Sequence, residues 1–279
     1  MKKILTTAFL WLSFQTIAQQ LDVPVSSPLQ QIRQDISLSF VTLEYSRPSA
    51  RNRVVFGDLV PYDKVWRTGA NQSTKITFGE GIQLEGNQIS PGKYALYTIP
   101  GKTEWTIILS KNTSWWGAYG YTDTEDVLRF KVRSESLSLP LETLTIGFDK
   151  LTQNSAIMTI AWEKTRVPVK VKADNDAQVM KNIQDAMDPR DRRPYIAAAN
   201  YYYEIDKDLN KALEWINKSL EMEPKAYWAV LLKGKIQLKL NDKEGAAASA
   251  TKVISLAKED KSDEYISLGE KLLADAKAK

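Results

Sequence analysis

Four arginines, Arg47, Arg51, Arg53 and Arg67, fall in one segment that closes on Asn71, with Lys64 among them. A guanidinium grips a carboxylate or phosphate through two parallel N–H bonds, and an asparagine amide adds a neutral donor and acceptor. If three of these cations converge, the segment is an anion pocket. If instead they reach backbone carbonyls, Asp58, Asp63 or Glu44, they staple a long loop whose ordering costs entropy. Both readings stand on the residues alone. A second group is aromatic: Trp115, Trp116, Tyr119 and Tyr121, spaced by Gly117 and Gly120. Neighbouring tryptophans in an extended, glycine-rich loop cannot both enter a core, so at least one ring is expected outside or over a neighbour. An exposed ring is a stacking platform for sugar faces and apolar ligands.

The catalytic inventory is narrow. The chain has no cysteine and no histidine, which removes Ser-His-Asp and Cys-His nucleophile pairs, disulfides, and zinc sites built on thiolate or imidazole. Asp123, Glu125 and Asp126 follow the aromatic run, and a carboxylate pair beside a sugar platform would suit a glycan hydrolase. That is the competing reading to a binding protein without catalytic residues. Ser249 and Lys252, and Ser255 and Lys258, share the S-x-x-K spacing, but inside a helical repeat this is one turn of surface. Walker A, G-x-S-x-G, G-x-G-x-x-G and EF-hand patterns are absent. No cofactor and no metal site is expected.

The elements that position these groups come in two textures. With 279 residues, 43% of them hydrophobic and 26% charged, the chain suits two globular domains. From Asp35 to about Thr165, short runs alternate with period two, among them ISLSFVTLEYS, KYALYTIPG, EWTIILSK and SAIMTIAWEK, broken by Gly and Pro turns. Seven or more such strands predict an antiparallel β-sandwich, with a partly closed barrel as the alternative. In the last of those runs Ala156, Met158, Ile160 and Trp162 share one face, and Ile157, Thr159 and Ala161 share the other. The 47–71 segment interrupts this rhythm. Its Val54, Val55, Phe56, Leu59, Val60, Val65 and Trp66 predict that it packs on the sandwich rather than staying disordered.

After residue 165 the texture turns helical, with Pro189 and Pro194 as breaks. A shift of about 34 residues places Ile196 on Val230, Asn200 on Gly234, Ala212 on Ala246 and Leu220 on Ile254. That period, with small residues where helices cross and Pro224 at the unit end, resembles the tetratricopeptide repeat. In this register Tyr203 takes the aromatic core position, and Tyr201 and Tyr202 fall nearer the groove or surface. Residues 262–279 are the expected polar capping helix. Such an array offers a concave face for an envelope protein, or simply braces the sandwich.

The strings ARNRVVFGDLVPYDKVWRTGAN, SPGKYALYTIPG, EWTIILSK, WWGAYGY and EDVLRFKV, in that order, resemble the DUF2911 family of exported bacterial proteins of unknown function. The resemblance covers about Pro28 to Val167 and implies a secreted β-rich domain. It implies no activity and carries over no catalytic residues. Asn52 stands where the family pattern has glycine.

The first residues give an address. Lys2-Lys3, an apolar run from Ile4 to Phe14, and Thr16-Ile17-Ala18 form a secretory signal peptide pattern, cleaved near Ala18-Gln19. The apolar run is too short to span a bilayer, which needs about 20 residues. The sequence therefore predicts a leader at 1–18, a sandwich at 19–165, a linker at 166–177 and helices at 178–279. The product is expected to be periplasmic or extracellular and soluble. Acidic and basic residues are equal in number across 19–165, so nucleic acid is not an expected partner. An anionic small molecule or a glycan is the expected ligand class, bound through Arg47, Arg51, Arg53, Arg67, Asn71, Trp115, Trp116 and Tyr119. The overall expectation is an envelope binding or scaffold protein.

Overall fold

The computed structural model describes residues 23–187 and 194–278. The leader read at 1–18 and the break at Pro189 lie outside these residues. Ten strands come first: β1 (Leu29–Ile36), β2 (Ser39–Ser46), β3 (Ala70–Phe78), β4 (Ile82–Leu84), β5 (Asn87–Gln88), β6 (Gly92–Ile99), β7 (Glu104–Ser110), β8 (Asp126–Arg133), β9 (Glu135–Asp149) and β10 (Ser155–Ala173). They pair antiparallel into a six-stranded sheet, β1-β2-β3-β6-β7-β8, and a four-stranded sheet, β5-β4-β10-β9. Two separate sheets make this a sandwich and not a barrel.

The alternation seen in sequence is the alternation of faces. Leu43 and Tyr45 on β2, Ile76 and Phe78 on β3, Leu96 on β6 and Trp105, Ile107 and Leu109 on β7 point inward. There they meet Leu144 and Ile146 of β9 and Met158, Ile160 and Trp162 of β10 in one buried cluster. Tyr45 also bonds across the layers. Its hydroxyl accepts from the Ile146 backbone N–H at 2.8 Å and faces the Ile146 carbonyl at 3.0 Å. Burial raises the Tyr45 pKa, so it stays a neutral phenol. Tyr45→Phe would leave the Ile146 N–H buried without this partner. A loss of about 1–3 kcal/mol of unfolding free energy in urea titration is the expected result. A change near zero would show that the bond contributes little.

The strand texture runs further than the sequence boundary. β10 continues through residues 166–173, which were expected to begin a linker. Val167, Val169, Val171 and Ala173 are buried on one face while Lys170 and Lys172 face solvent. Val171 and Ala173 pair with Leu84 and Ile82 of β4. Alternating valine with lysine is the pattern of a half-buried strand, so only Asp174 and Asn175 remain as connection.

Six helices follow: α1 (Asp176–Ala186), α2 (Tyr195–Glu204), α3 (Leu209–Met222), α4 (Tyr227–Lys239), α5 (Lys243–Glu259) and α6 (Asp263–Lys277). The repeat is visible in the caps. Asp208 accepts from the Lys211 N–H and Asp242 from the Gly245 N–H, each satisfying an orphan donor at the start of the unit's second helix. Ala212 and Ala246, equivalent in the repeat, are both fully buried. Gly234 lies where a Cβ would meet Leu272 Cδ2 at 2.6 Å and Ser249 Cβ at 3.0 Å, so α4 approaches its neighbours closely. Within the tyrosine run, Tyr203 packs against the buried cluster, and so does Tyr202, edge-on to Trp215 at 4.9 Å between centroids. Tyr201 donates to Asp176 Oδ1 at 2.7 Å, tying α2 to α1.

Candidate functional site

The long segment after β2 is laid onto both sheets. Val55, Phe56 and Val60 are buried, Trp66 bridges to Thr98 of β6, and Ser49 bridges to Thr143 of β9. Phe56 and Trp66 join Trp105 and Trp162 in an aromatic cluster; Trp66 stacks on Trp162 at 6.0 Å and 20°.

Its arginines bond mostly to oxygens of the protein itself. Arg47 Nε donates to the Leu144 carbonyl and Nη2 to Thr145 Oγ1, both at 2.9 Å, across to β9. Arg53 folds back on its own turn, with Nε to the Ala50 carbonyl and Nη2 to the Ser49 carbonyl, each 2.9 Å. Arg51 approaches the Ser26 carbonyl at 3.5 Å. Arg67 donates to the carbonyls of Gly69 at 3.4 Å and Asn71 at 3.3 Å. The acceptors are backbone carbonyls and the Thr145 hydroxyl, not Asp58, Asp63 or Glu44. The four guanidiniums are therefore distributed along the segment and not gathered round one point.

Arg67 and Asn71 are instead brought to the aromatic loop. That loop crosses the outer face of the six-stranded sheet, where Ala95, Tyr97 and Ile108 form a small buried cluster with Trp115, Ala118 and Tyr121 packed on it. Trp115 turns inward, tilted against Tyr97 at 6.3 Å and edge-on to Tyr121 at 5.9 Å. Trp116 and Tyr119 turn out, 59% and 82% exposed. Gly117 has φ +68°, and a Cβ there would meet Arg67 Nη1 at 2.4 Å. The guanidinium thus lies directly against the loop backbone.

Side chains from the sheet below hold that backbone. Tyr97 donates to the Gly117 carbonyl at 3.2 Å, and Ser73 donates to the Trp115 carbonyl at 3.4 Å. Lys75, itself buried, donates to Ser73 Oγ at 2.6 Å. Burial and then the neighbouring Lys93 push the Lys75 ammonium below the usual lysine range, with Glu44 acting the other way. At the loop's far end Tyr121 donates to Asp126 Oδ2 at 2.7 Å. Burial and then that hydrogen bond push the Tyr121 hydroxyl up to about 12.

Two hollows flank this arrangement. A groove of about 740 Å³ is lined by the 23–27 strap together with Glu44, Ser46, Asn71, Gln72 and Trp116. Within that lining the Asn71 amide donates to the Ser27 carbonyl at 3.3 Å and Ser46 Oγ at 3.2 Å. A smaller hollow of about 280 Å³ is lined by Val65, Trp66, Arg67, Ala118 and Tyr119. The structure thus unites Arg67, Asn71, Trp115, Trp116 and Tyr119, and leaves Arg47 and Arg53 away from both hollows.

Several lining residues have no signal in sequence motifs. The 23–27 strap, Ser46 and Gln72 belong to the groove only because distant segments meet there. Glu44 could have been placed on the outer face from the alternation in SFVTLEYS. It pairs with Gln31 at 2.7 Å and faces Lys93 at 3.8 Å.

The carboxylates after the aromatic run do not enter either hollow. Asp126 is held by Tyr121 and Arg129, Glu125 faces Lys111 at 3.7 Å, and Asp123 is exposed in a 3-10 turn.

Comparison with known families agrees with the resemblance read from the sequence. The family model described as a protein of unknown function (DUF2911) matches residues 27–171, more than half of the chain. The chain belongs to the DUF2911 family. The DUF2911 match takes in β1 to β9 and β10 as far as Val171. It includes every residue of the two hollows except the 23–26 part of the strap, and it ends before the helices. No curated protein and no solved structure is found to match.

Proposed function

We propose that this protein is an exported, non-catalytic binding protein of the cell envelope whose sandwich takes a glycan. The observation that carries this reading is the pair of outward rings, Trp116 and Tyr119, on a loop held rigid from beneath by Tyr97, Ser73 and Arg67. An exposed aromatic whose backbone is already fixed stacks on a sugar face with little further ordering cost. Glu44, Ser46, Asn71 and Gln72 supply the neutral and acidic hydrogen-bonding groups that sugar hydroxyls need. A glycan suits the site better than a small anion because the guanidiniums already have carbonyl partners. The hydrolase alternative is less supported, because the lining of the two sandwich hollows includes one acid, Glu44. Export follows from the leader pattern at 1–18, and no described helix is long and apolar enough to cross a membrane. The helices are read as the surface that contacts another protein.

Affinity electrophoresis of the mature protein in gels containing neutral or acidic polysaccharides tests the reading. One neutral polysaccharide should retard the wild type. Trp116→Ala and Tyr119→Ala should each weaken that retention by about tenfold, the equivalent of about 1.4 kcal/mol of stacking, without lowering the melting temperature. If no polysaccharide retards the wild type, or both variants bind as it does, the glycan reading is lost.

A further inference from the structure

The helical array carries a second groove, on the face shared by α2, α4 and α6. It has a volume of about 380 Å³, which admits a side chain or two and not a folded domain. Leu238 of α4 and Leu268 and Leu272 of α6 form its apolar lining. Beside it α4 and α6 approach closely at Gly234, where an added Cβ would meet Leu272 Cδ2 at 2.6 Å. Tyr203 of α2 is one wall, fixed by Lys239. That ammonium donates to the Tyr203 carbonyl at 2.8 Å and Asp206 Oδ1 at 2.6 Å, and sits 4.1 Å from the Tyr203 ring centroid.

Two other ammonium groups line the same groove and differ in kind. Lys235, half-buried on α4, and Lys271, exposed on α6, make no hydrogen bond or ion pair with any described residue. Opposing them is one acid lining the groove, Asp275, a turn along α6 from Lys271. With two unbonded ammoniums to one acid, the lining keeps an excess of positive charge beside an apolar floor, which favours a ligand that brings negative charge and an apolar group together.

We propose that this groove docks an extended acidic segment of a partner protein, its carboxylates on Lys235 and Lys271 and an apolar side chain on Leu238, Leu268 and Leu272. The inference rests on the reading that the helices contact another protein, and adds the partner's chemistry. A nucleic acid would need a run of phosphate contacts over a basic field, and residues 166–279 hold nearly equal numbers of acidic and basic side chains. A lipid surface would need a broad amphipathic face rather than a narrow concavity.

The test uses the full mature chain and fluorescence anisotropy of a labelled short peptide of alternating Glu and Leu. A Ser–Leu peptide, a Lys–Leu peptide and phosphatidylglycerol vesicles serve as comparators. The Glu–Leu peptide should bind, and rising salt should weaken it. The double variant Lys235→Glu/Lys271→Glu should weaken it by at least about tenfold, whereas Lys235→Arg/Lys271→Arg should keep it. Trp116→Ala should leave it unchanged. Equal binding of the Ser–Leu peptide with no effect of charge reversal would overturn the acidic preference while leaving a protein-contact surface in place. Binding of none of the peptides would remove both. Lysine-dependent binding of vesicles without peptide binding would assign the groove to lipid and overturn the proposal.

Discussion

Trp162→Ala is expected to cost about 3–5 kcal/mol of unfolding free energy, the range for removing a buried tryptophan from a packed core. The ring is 1% exposed. It stacks on Trp66 and meets Phe56 edge-on at 6.2 Å, so it anchors the 47–71 segment as well as the sheet that carries it. Its indole N–H donates to the Glu142 carbonyl at 3.0 Å, but that carbonyl also accepts from the Ala50 N–H at 2.7 Å. The loss therefore falls on packing and not on an orphaned acceptor. Urea unfolding should show it, together with faster proteolysis between Arg47 and Arg67 under native conditions. Trp228→Ala, on a ring 41% exposed in α4, should stay within about 0.5 kcal/mol of wild type. A Trp162→Ala loss as small as that would mean the segment docks without the aromatic cluster.

The second large effect is on binding. Gly117→Val places a branched side chain at φ +68° and drives its Cβ to 2.4 Å from Arg67 Nη1. The left-handed conformation alone costs about 1–2 kcal/mol, more for a β-branched residue. The clash adds to it, because Arg67 can retreat only by leaving the Gly69 and Asn71 carbonyls. The loop should then give up the fixed positions of Trp116 and Tyr119, with polysaccharide retention falling by more than about tenfold. Gly86→Ala separates the two causes. Gly86 has φ +80° with nothing within 4 Å of the added Cβ, so it reports backbone strain without a clash. If both variants bind polysaccharide like wild type, the close contact between Arg67 and Gly117 has no bearing on the site.

The sandwich was legible because its faces are written in alternation: Ala156, Met158, Ile160 and Trp162 were read as sharing one face, and the fold buries that face to 0–2% exposure. The paired tryptophans were legible for a steric reason, one ring in and one out, although nothing in WWGAYGY says which. The end of β10 was misjudged at residue 165 because VPVKVK is short and rich in lysine, and its pairing partner in β4 lies far back in the chain. The arginines were legible as staples that could reach backbone carbonyls, but not in which carbonyls they reach. Backbone carbonyls leave no mark on a sequence, and Arg47 finds its own on β9, nearly a hundred residues on. Asn71 adopts φ +60° without being glycine and meets Ser27 across 44 residues, so the groove it lines has no local signature.

β10 does more than complete a layer. It is an interior strand of its sheet, flanked by β9 and β4, and its chain runs through Asp174 and Asn175 straight into α1. A pull on the helices is therefore transmitted along a strand whose ladder bonds must shear together rather than unzip one at a time. A load applied between the sandwich and the helices would meet β10 along its length, where its two neighbouring strands share it.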